Sequence, residues 1–237
     1  MERHVPRLYV SQDLDACLEV SLNAMQSHHL RKVLRLNIGN TISLFNGRDG
    51  EWECAFLHDK KQMGAALVKW LAREQESEPE CWLLFAPIKP TRQSMLIEKT
   101  TELGVTDFFP VITDHCDKTK RNMKRFQDIS IAAAQQCGRI AIPKWHESKS
   151  LYETLNKWDP TRMLFYCDER RQADTLSQLL HSLKPDKSAI LIGPEGGFST
   201  DEFEQLKNET YTKAVSLGPN ILRAETAGIT AIAVVRS

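Results

Sequence analysis

Apolar positions along this chain change rhythm part-way. Up to residue 72 they come in short alternating stretches. Thr41–Phe45 reads as a strand, Asn46-Gly47 and Asp49-Gly50 are turn signals, and 51–57 reads as the returning strand. A further strand candidate covers 60–71, and 27–34 reads as a short helix. This block is expected to be a small, mostly β barrel. Residues 73–80, Arg-Glu-Gln-Glu-Ser-Glu-Pro-Glu, are polar and acidic and are expected to be a linker.

From residue 81 the pattern alternates between short apolar runs and longer helical periods. Strands are expected at 82–87, 108–112, 163–167, 188–192 and 214–217, and helices at 92–103, 123–137, 175–183 and 224–235. Gly104 stands where a C-terminal cap belongs, and Pro185 stops the helix before it. Regular alternation of this kind predicts an α/β fold with a mainly parallel sheet and helices on both faces. The domain reading is therefore a barrel at 1–72, a linker at 73–80 and an α/β domain at 81–237.

Two segments of the second block carry candidate chemistry. Leu191-Ile-Gly-Pro-Glu-Gly-Gly-Phe-Ser199 and Leu217-Gly-Pro-Asn-Ile-Leu-Arg-Ala-Glu-Thr-Ala227 each run from strand to loop to helix. Open α/β sheets bind ligands at such carboxyl ends, so one shared pocket is expected. Ser199 with Glu202 three positions on is a capping-box pattern, with Phe203 and Leu206 on the buried face of the helix it opens. A glycine loop before a helix suits phosphate. Here Glu195, Asp201 and Glu202 would repel a polyphosphate. The glycine spacing at 193, 196 and 197 matches neither a P-loop nor a dinucleotide fingerprint. A cationic ligand or a neutral nucleoside fits the charge better, and a plain tight turn is the alternative.

Composition sets outer bounds. The 237 residues are 41% hydrophobic and 26% charged, ordinary for a globular protein. No apolar run reaches the length of a membrane span, and the N-terminus does not read as a signal peptide. Six scattered cysteines without a C-x-x-C pair point to reduced thiols in a cytoplasm. His28-His29 and His115-Cys116 lack the spacing of a metal site, so no metal is expected. Net charge is zero, but Lys118, Lys120, Arg121, Lys124 and Arg125 crowd eight positions without an acid. That cluster is either a phosphate-contacting patch or a solvated helix face.

The two loop motifs together resemble the bacterial 16S ribosomal RNA uridine-N3 methyltransferases of the SPOUT superfamily. Lys99-Thr-Thr-Glu-Leu-Gly-Val105 and Ala134-Gln-Gln-Cys-Gly-Arg139 with Pro143 carry the resemblance through the middle of the chain. Val33-Leu-Arg35, Gly39 and Phe45-Asn-Gly47 carry it into the first block, which resembles a PUA-type RNA-binding barrel. Asn220 departs from the family pattern, standing where an arginine is common. Ala224, Gly228, Pro90 and Glu98 depart as well.

The resemblance implies a deep trefoil knot in the α/β domain, S-adenosylmethionine as methyl donor, and a homodimer with the site near the subunit interface. It implies a uridine near the 3′ end of 16S rRNA, in the decoding region, as substrate. Ile192, Gly193, Pro194, Glu195, Gly196, Leu217 and Gly218 would hold the donor, with Ile221, Leu222, Thr226 and Ala227 completing its walls. Arg223 is the candidate stabiliser of the charge that develops on uracil, with Glu225 or Glu195 as base or positioning group. A structural ion pair of Arg223 with Glu225 is the alternative. Arg3, Arg7, Arg31, Arg35, Lys118, Lys120, Arg121, Lys124 and Arg139 are candidate RNA contacts. Another knotted methyltransferase acting on tRNA or a ribose 2′-hydroxyl, and a non-catalytic assembly factor, are the rival readings.

Overall fold

The computed structural model describes residues 5–58, 64–116, 122–167 and 173–237, and these form two bodies. The first holds the described part of Met1–Ser77 together with Ala134–Ile142, and the second the described part of Glu78–Ala133 and Pro143–Ser237. The division falls inside the polar 73–80 stretch. Nothing in the hydropathy pattern announces that 134–142 joins the first body.

The first body contains β1 (Arg7–Tyr9), β2 (Glu19–Ser21), α1 (Ala24–His28), β3 (Thr41–Phe45), β4 (Glu51–His58) and β5 (Gly64–Arg73). The strands form one sheet in the order β1-β3-β4-β5-β2, parallel between β1 and β3 and antiparallel elsewhere. Alternate residues point inward, so Ile42, Leu44, Cys54, Phe56, Ala66 and Val68 share one core with Leu8, Val20, Leu22 and Leu30. The helix expected at 27–34 is a short α1 capped by Asn23, followed by a π-type turn over His29–Val33. Strands β1 and β2 are three residues each, too short for a period-two signal to emerge from sequence.

The second body contains β6 (Trp82–Phe85), α2 (Pro90–Glu102), β7 (Asp107–Ile112), α3 (Met123–Cys137), β8 (Lys144–Trp145), β9 (Lys149–Ser150), α4 (Leu151–Asn156), β10 (Met163–Cys167), α5 (Leu176–Leu183), β11 (Ser188–Ile192), α6 (Thr200–Asn208), β12 (Thr212–Val215) and α7 (Ala224–Arg236). The last residues of α3 belong to the first body. The sheet runs β12-β10-β11-β6-β7-β8, with β9 also on β7, and every pair is parallel. Gly104 follows α2 at φ 94°, a left-handed cap that a side chain would strain.

Connection direction explains the layers. Crossovers β6-α2-β7, β7-α3-β8 and β10-α5-β11 step one way along the sheet, while β9-α4-β10 and β11-α6-β12 step the other. One handedness for all of them puts the two sets of helices on opposite faces. The cores agree. Leu83, Phe85, Phe108, Phe165 and Ile190 pack with α2, α3 and α5. Leu84, Val111, Leu164, Tyr166 and Leu191 pack with α4 and α6. After β12, the segment 216–223 leads to α7, which packs on the α2 face through Ala224, Ala227, Ala231 and Ile232.

Strands β6 and β11 lie side by side, yet the chain leaves them in opposite directions. This is the topological switch point of the sheet, where loops diverge and leave a crevice at the carboxyl ends.

The first body is pinned by one buried carboxylate. Glu51 accepts hydrogen bonds from Arg7 Nε at 2.7 Å and Nη2 at 3.0 Å, from the Ser43 hydroxyl, and from Arg73 Nη1 at 3.1 Å. Arg7 also donates to the carbonyls of Ala134, Gln135 and Arg139, and Arg73 to that of Gly138. These are carbonyls at the end of α3, which lack partners within the helix and favour a cation. Arg7 is therefore turned inward with its side chain 12% exposed, a structural residue and not the RNA contact expected of it. Burial alone would raise the Glu51 pKa. The hydrogen bonds from Arg7 and Ser43 and the charges of Arg7 and Arg73 hold it below the ordinary carboxylate value.

Arg7→Ala is expected to destabilise the first body by about 3 kcal/mol, the scale of removing half of a buried ion pair. Hydrogen exchange of β3 and β4 reads this directly. A folded pKa below the unfolded one gives stability that is full above the ordinary carboxylate value and lost as pH falls through the folded value. The gap between wild type and Arg7→Ala should therefore narrow in acid, and a gap that is constant down to pH 2–3 (about the foot of a carboxylate titration) contradicts the assignment.

Candidate active site

Three loops build the site at the carboxyl end of the sheet. The first follows β11. Ser199 caps α6 in a reciprocal box with Glu202, as its sequence spacing predicts. An added Cβ at Gly193 would stand 3.1 Å from the Phe198 ring, so a side chain there would press the ring aside by a few tenths of an ångström. The second loop follows β7 and clamps the first. The Ser199 hydroxyl donates to Asp114 at 2.6 Å, and the Asp114 N–H donates to Glu202 at 2.9 Å. His115 Nδ1 lies 3.2 Å from the carbonyls of both Gly196 and Gly197. Two carbonyl partners require a proton on Nδ1, which fixes the tautomer. The third loop, 216–223, joins β12 to α7. Its start is tied down where the Gly218 N–H donates to the Ser216 hydroxyl at 3.3 Å.

Between these loops lies a cavity of about 490 Å³. Ile192, Gly193, Pro194 and Glu195 line it on one side and Leu217, Gly218, Ile221 and Leu222 on the other, with Ala227 and Arg223 at the start of α7. The two motifs thus meet in one place. Gly196, Thr226 and Glu225, also expected to contact ligand or substrate, are not among its lining residues. Gly196 instead packs against the His115 side chain, 3.2 Å from where its Cβ would be.

The electrostatics centre on a residue that sequence reading missed. Arg92, in the first turn of α2, lines the cavity. Its Nη1 donates to Glu195 Oε1 at 3.2 Å, and its Nε faces Glu225 Oε1 at 3.7 Å. Glu225 is 5% exposed, and its Oε2 has no hydrogen-bond partner among the described residues. The ion pair weighed between Arg223 and Glu225 is thus made by Arg92 instead. Arg223 is the N-cap of α7, exposed, and makes no capping hydrogen bond with its side chain. Among the described residues it has no ion-pair partner, which leaves its guanidinium available to the cavity. Burial pushes the Cys167 thiol up to about 12, so Cys167 lines the cavity as a neutral group.

The candidate RNA contacts are dispersed. Arg31 and Lys32 sit on the π-type turn, beside Leu36, Asn37 and Ile38, around a shallow groove. Arg35 is exposed at φ 54°, in the left-handed region. Lys124 and Arg125 are exposed at the start of α3, and Arg139 is partly buried after its end. Arg3, Lys118, Lys120 and Arg121 lie outside the described residues. The acidic stretch is not wholly solvent-facing, since Glu80 pairs with Arg162, whose guanidinium stacks 3.6 Å over Trp82. Among the described residues there is no cluster of three or more His, Cys, Asp or Glu able to hold a metal, and no helix long and apolar enough to cross a membrane.

Asp114, His115 and Arg92 escaped sequence reading because their partners lie 80 or more residues away. Arg92 left one trace. A cation in the first turn of a helix opposes the helix dipole and signals a tertiary reason for its presence.

The chain is similar to known RNA methyltransferases. Residues 75–236 match the RNA methyltransferase domain, and 22–63 match the RNA methyltransferase PUA domain. A relative from Rickettsia conorii, ribosomal RNA small subunit methyltransferase E, is 34% identical over 235 residues, covering 97% of this chain and 94% of the relative. The fold is similar to a solved ribosomal RNA small subunit methyltransferase E from Neisseria gonorrhoeae bound to S-adenosyl methionine. That match has a TM-score of 0.84 and 30% identity, covering 97% of this chain and 96% of the other. A Legionella pneumophila methyltransferase in complex with bound SAM is similar at TM-score 0.85 and 28% identity, covering 98% and 97%. With the domain match spanning 75–236 and full-length likeness to the Rickettsia protein, this chain belongs to the ribosomal RNA small subunit methyltransferase E family.

Proposed function

We propose that this protein transfers a methyl group from S-adenosylmethionine to N3 of a uridine in 16S rRNA of the small ribosomal subunit, in the decoding region. The observation that carries the reading is the meeting of the glycine loop and the 217–227 segment around one cavity. Its volume lies in the range of sites for ligands of cofactor size, roughly 300–1,000 Å³. Apolar walls from Ile192, Leu217 and Leu222 suit an adenosine. Glu195 at the rim suits a sulfonium and disfavours a polyphosphate. The residues present therefore fit S-adenosylmethionine, which when bound supplies an electrophilic methyl on a sulfonium.

The protein's own task is set by uracil. Its N3 carries a proton between two carbonyls and becomes nucleophilic only as that proton leaves. The base has to be unpaired and splayed out, because N3 lies on the pairing edge. Arg223 stands at the cavity with a permanently charged planar fork, suited to a uracil oxygen that gains charge as the proton departs. Of the two candidate carboxylates, Glu195 lines the cavity and Glu225 lies behind it. Glu195 is therefore the group placed to receive the N3 proton, directly or through water.

Exposed Arg35 and Lys124, with Arg31 and the 118–121 cluster, supply the sequence-independent contacts to RNA phosphates. A second copy of the chain completes the site. Ile221 lines the cavity yet is 65% exposed, an apolar side chain that a partner subunit would cover. The enzyme acts in the cytoplasm, where its rRNA substrate is found.

Three outcomes test this reading. Mass mapping of 16S rRNA treated with enzyme and donor should find 3-methyluridine in the decoding region. A methylated ribose, or methylation of tRNA, would favour the rival enzymes, and no methylation with no donor binding would favour a non-catalytic factor. Arg223→Ala should slow single-turnover methyl transfer by about 10²–10³-fold, the usual cost of one transition-state donor, while donor binding survives. An unchanged rate removes Arg223 from the mechanism. Neutralising Lys120, Arg121 and Lys124 together should flatten the log–log salt dependence of RNA binding by roughly 0.7–0.9 per lost phosphate contact. An unaltered slope returns that cluster to a solvated surface.

A further inference from the structure

We propose that Arg92 is a positioning residue for methyl transfer, tying the glycine loop to the start of α7 and so holding the cavity at its working width. The proposal rests on the cofactor reading of that cavity.

Local structure gives no reason for this arginine. It sits in the first turn of α2, where the helix dipole favours acids and no acid is present. What it does is tertiary. Its guanidinium reaches two carboxylates at once, Glu195 on the glycine loop and Glu225 on α7. The fork geometry matters, because a lysine ammonium is a single point charge on a flexible stem and is not shaped to bridge both.

The tie stands where the sheet cannot supply one. The loops after β6 and β11 diverge at the switch point, and their helices pack on opposite faces. The β6–β11 ladder runs out at a bond from the Ala86 N–H to the Ile192 carbonyl. Beyond it, Arg92 carries the link from the α2 side to Glu195, three residues past Ile192. The same guanidinium answers a second need. Glu225 is buried, and among the described residues Arg92 is the cation within ion-pair distance of it. Asp114 and His115 hold the far end of the glycine loop, at 196–199. Arg92 holds its near end, so the loop is fastened at both. With the near end released, the loop samples arrangements that do not fit the donor, and apparent affinity falls by the fraction of time the fitting one is populated.

The test compares wild type, Arg92→Ala, Arg92→Lys, Glu225→Gln and the Arg92→Ala/Glu225→Gln double variant. It reads S-adenosylmethionine binding by calorimetry and steady-state kinetics on small-subunit RNA, with thermal unfolding as the control for folding. Arg92→Ala should raise both Kd and KM for S-adenosylmethionine by about tenfold, with kcat at saturating donor changing less than either. Arg92→Lys should recover part of the loss. The Arg92→Ala/Glu225→Gln double variant should bind no more weakly than Arg92→Ala, because both changes cut the same tie and Glu225 does not line the cavity. Unmoved Kd and KM in Arg92→Ala overturn the proposal. So does a collapse of kcat with KM unchanged, which would place Arg92 on the transition state, and so do additive losses. If Arg92→Ala does not fold, Arg92→Lys and Glu225→Gln carry the test: weaker donor binding in both supports the tie, and unmoved binding in both overturns it. Wild-type protein that binds no S-adenosylmethionine overturns the cofactor reading and this role together, whereas wild-type binding with unmoved variants overturns the role alone.

Discussion

The second body is organised by the divergence of two neighbouring parallel strands. Because β6 sends its chain one way along the sheet and β11 the other, their helices must lie on opposite faces and their loops must part. Everything at the site follows from that parting. The glycine loop has room to fold, the 216–223 segment closes the other side, and α7 arrives on the α2 face to complete the cavity. The strands feeding it, Leu83–Phe85 and Ala189–Ile192, are buried on both faces, so the frame beneath the loops is rigid.

Charge is distributed with economy around this cavity. Arg92 and Arg223 stand at it with Glu195 and Glu204, and Glu225 lies directly behind it. Arg92 is engaged by Glu195 and Glu225, and Arg223 is left without an ion-pair partner among the described residues. Both arginines stand at helix N-termini, where local preference disfavours a cation. Departures from local rules that both line one cavity are what a functional site produces, since the residue is placed for the ligand and not for the helix. The first body obeys the opposite logic. There Arg7 sits at carbonyls of a helix C-terminus and against buried Glu51, favourable on both counts, and its work is structural.

Long-range α/β alternation was legible in the sequence because each element is long enough to display its period. Met123–Cys137, Met163–Cys167 and Ser188–Ile192 have the bounds expected of them, and the Ser199–Glu202 cap sits where its spacing placed it. Strands of two or three residues, such as β1, β2, β8 and β9, carry too few positions for alternation to register. The loop motifs announced themselves through glycine and proline. The residues that fasten them did not, because Arg92 lies 103 positions from Glu195 and Ser199 lies 85 from Asp114. Arg7 misled for a related reason. A sequence displays a charge but not the buried carboxylate, 44 positions away, that consumes it.

The central claim is geometric, that the glycine turn and the arginine turn form one receptacle for the methyl donor. A crystal structure of the protein grown with S-adenosylhomocysteine tests it most directly. The account predicts the adenosine held between Gly193–Glu195 and Leu217–Leu222, with the sulfur facing Arg223. Density for the nucleoside anywhere else on the protein would contradict it.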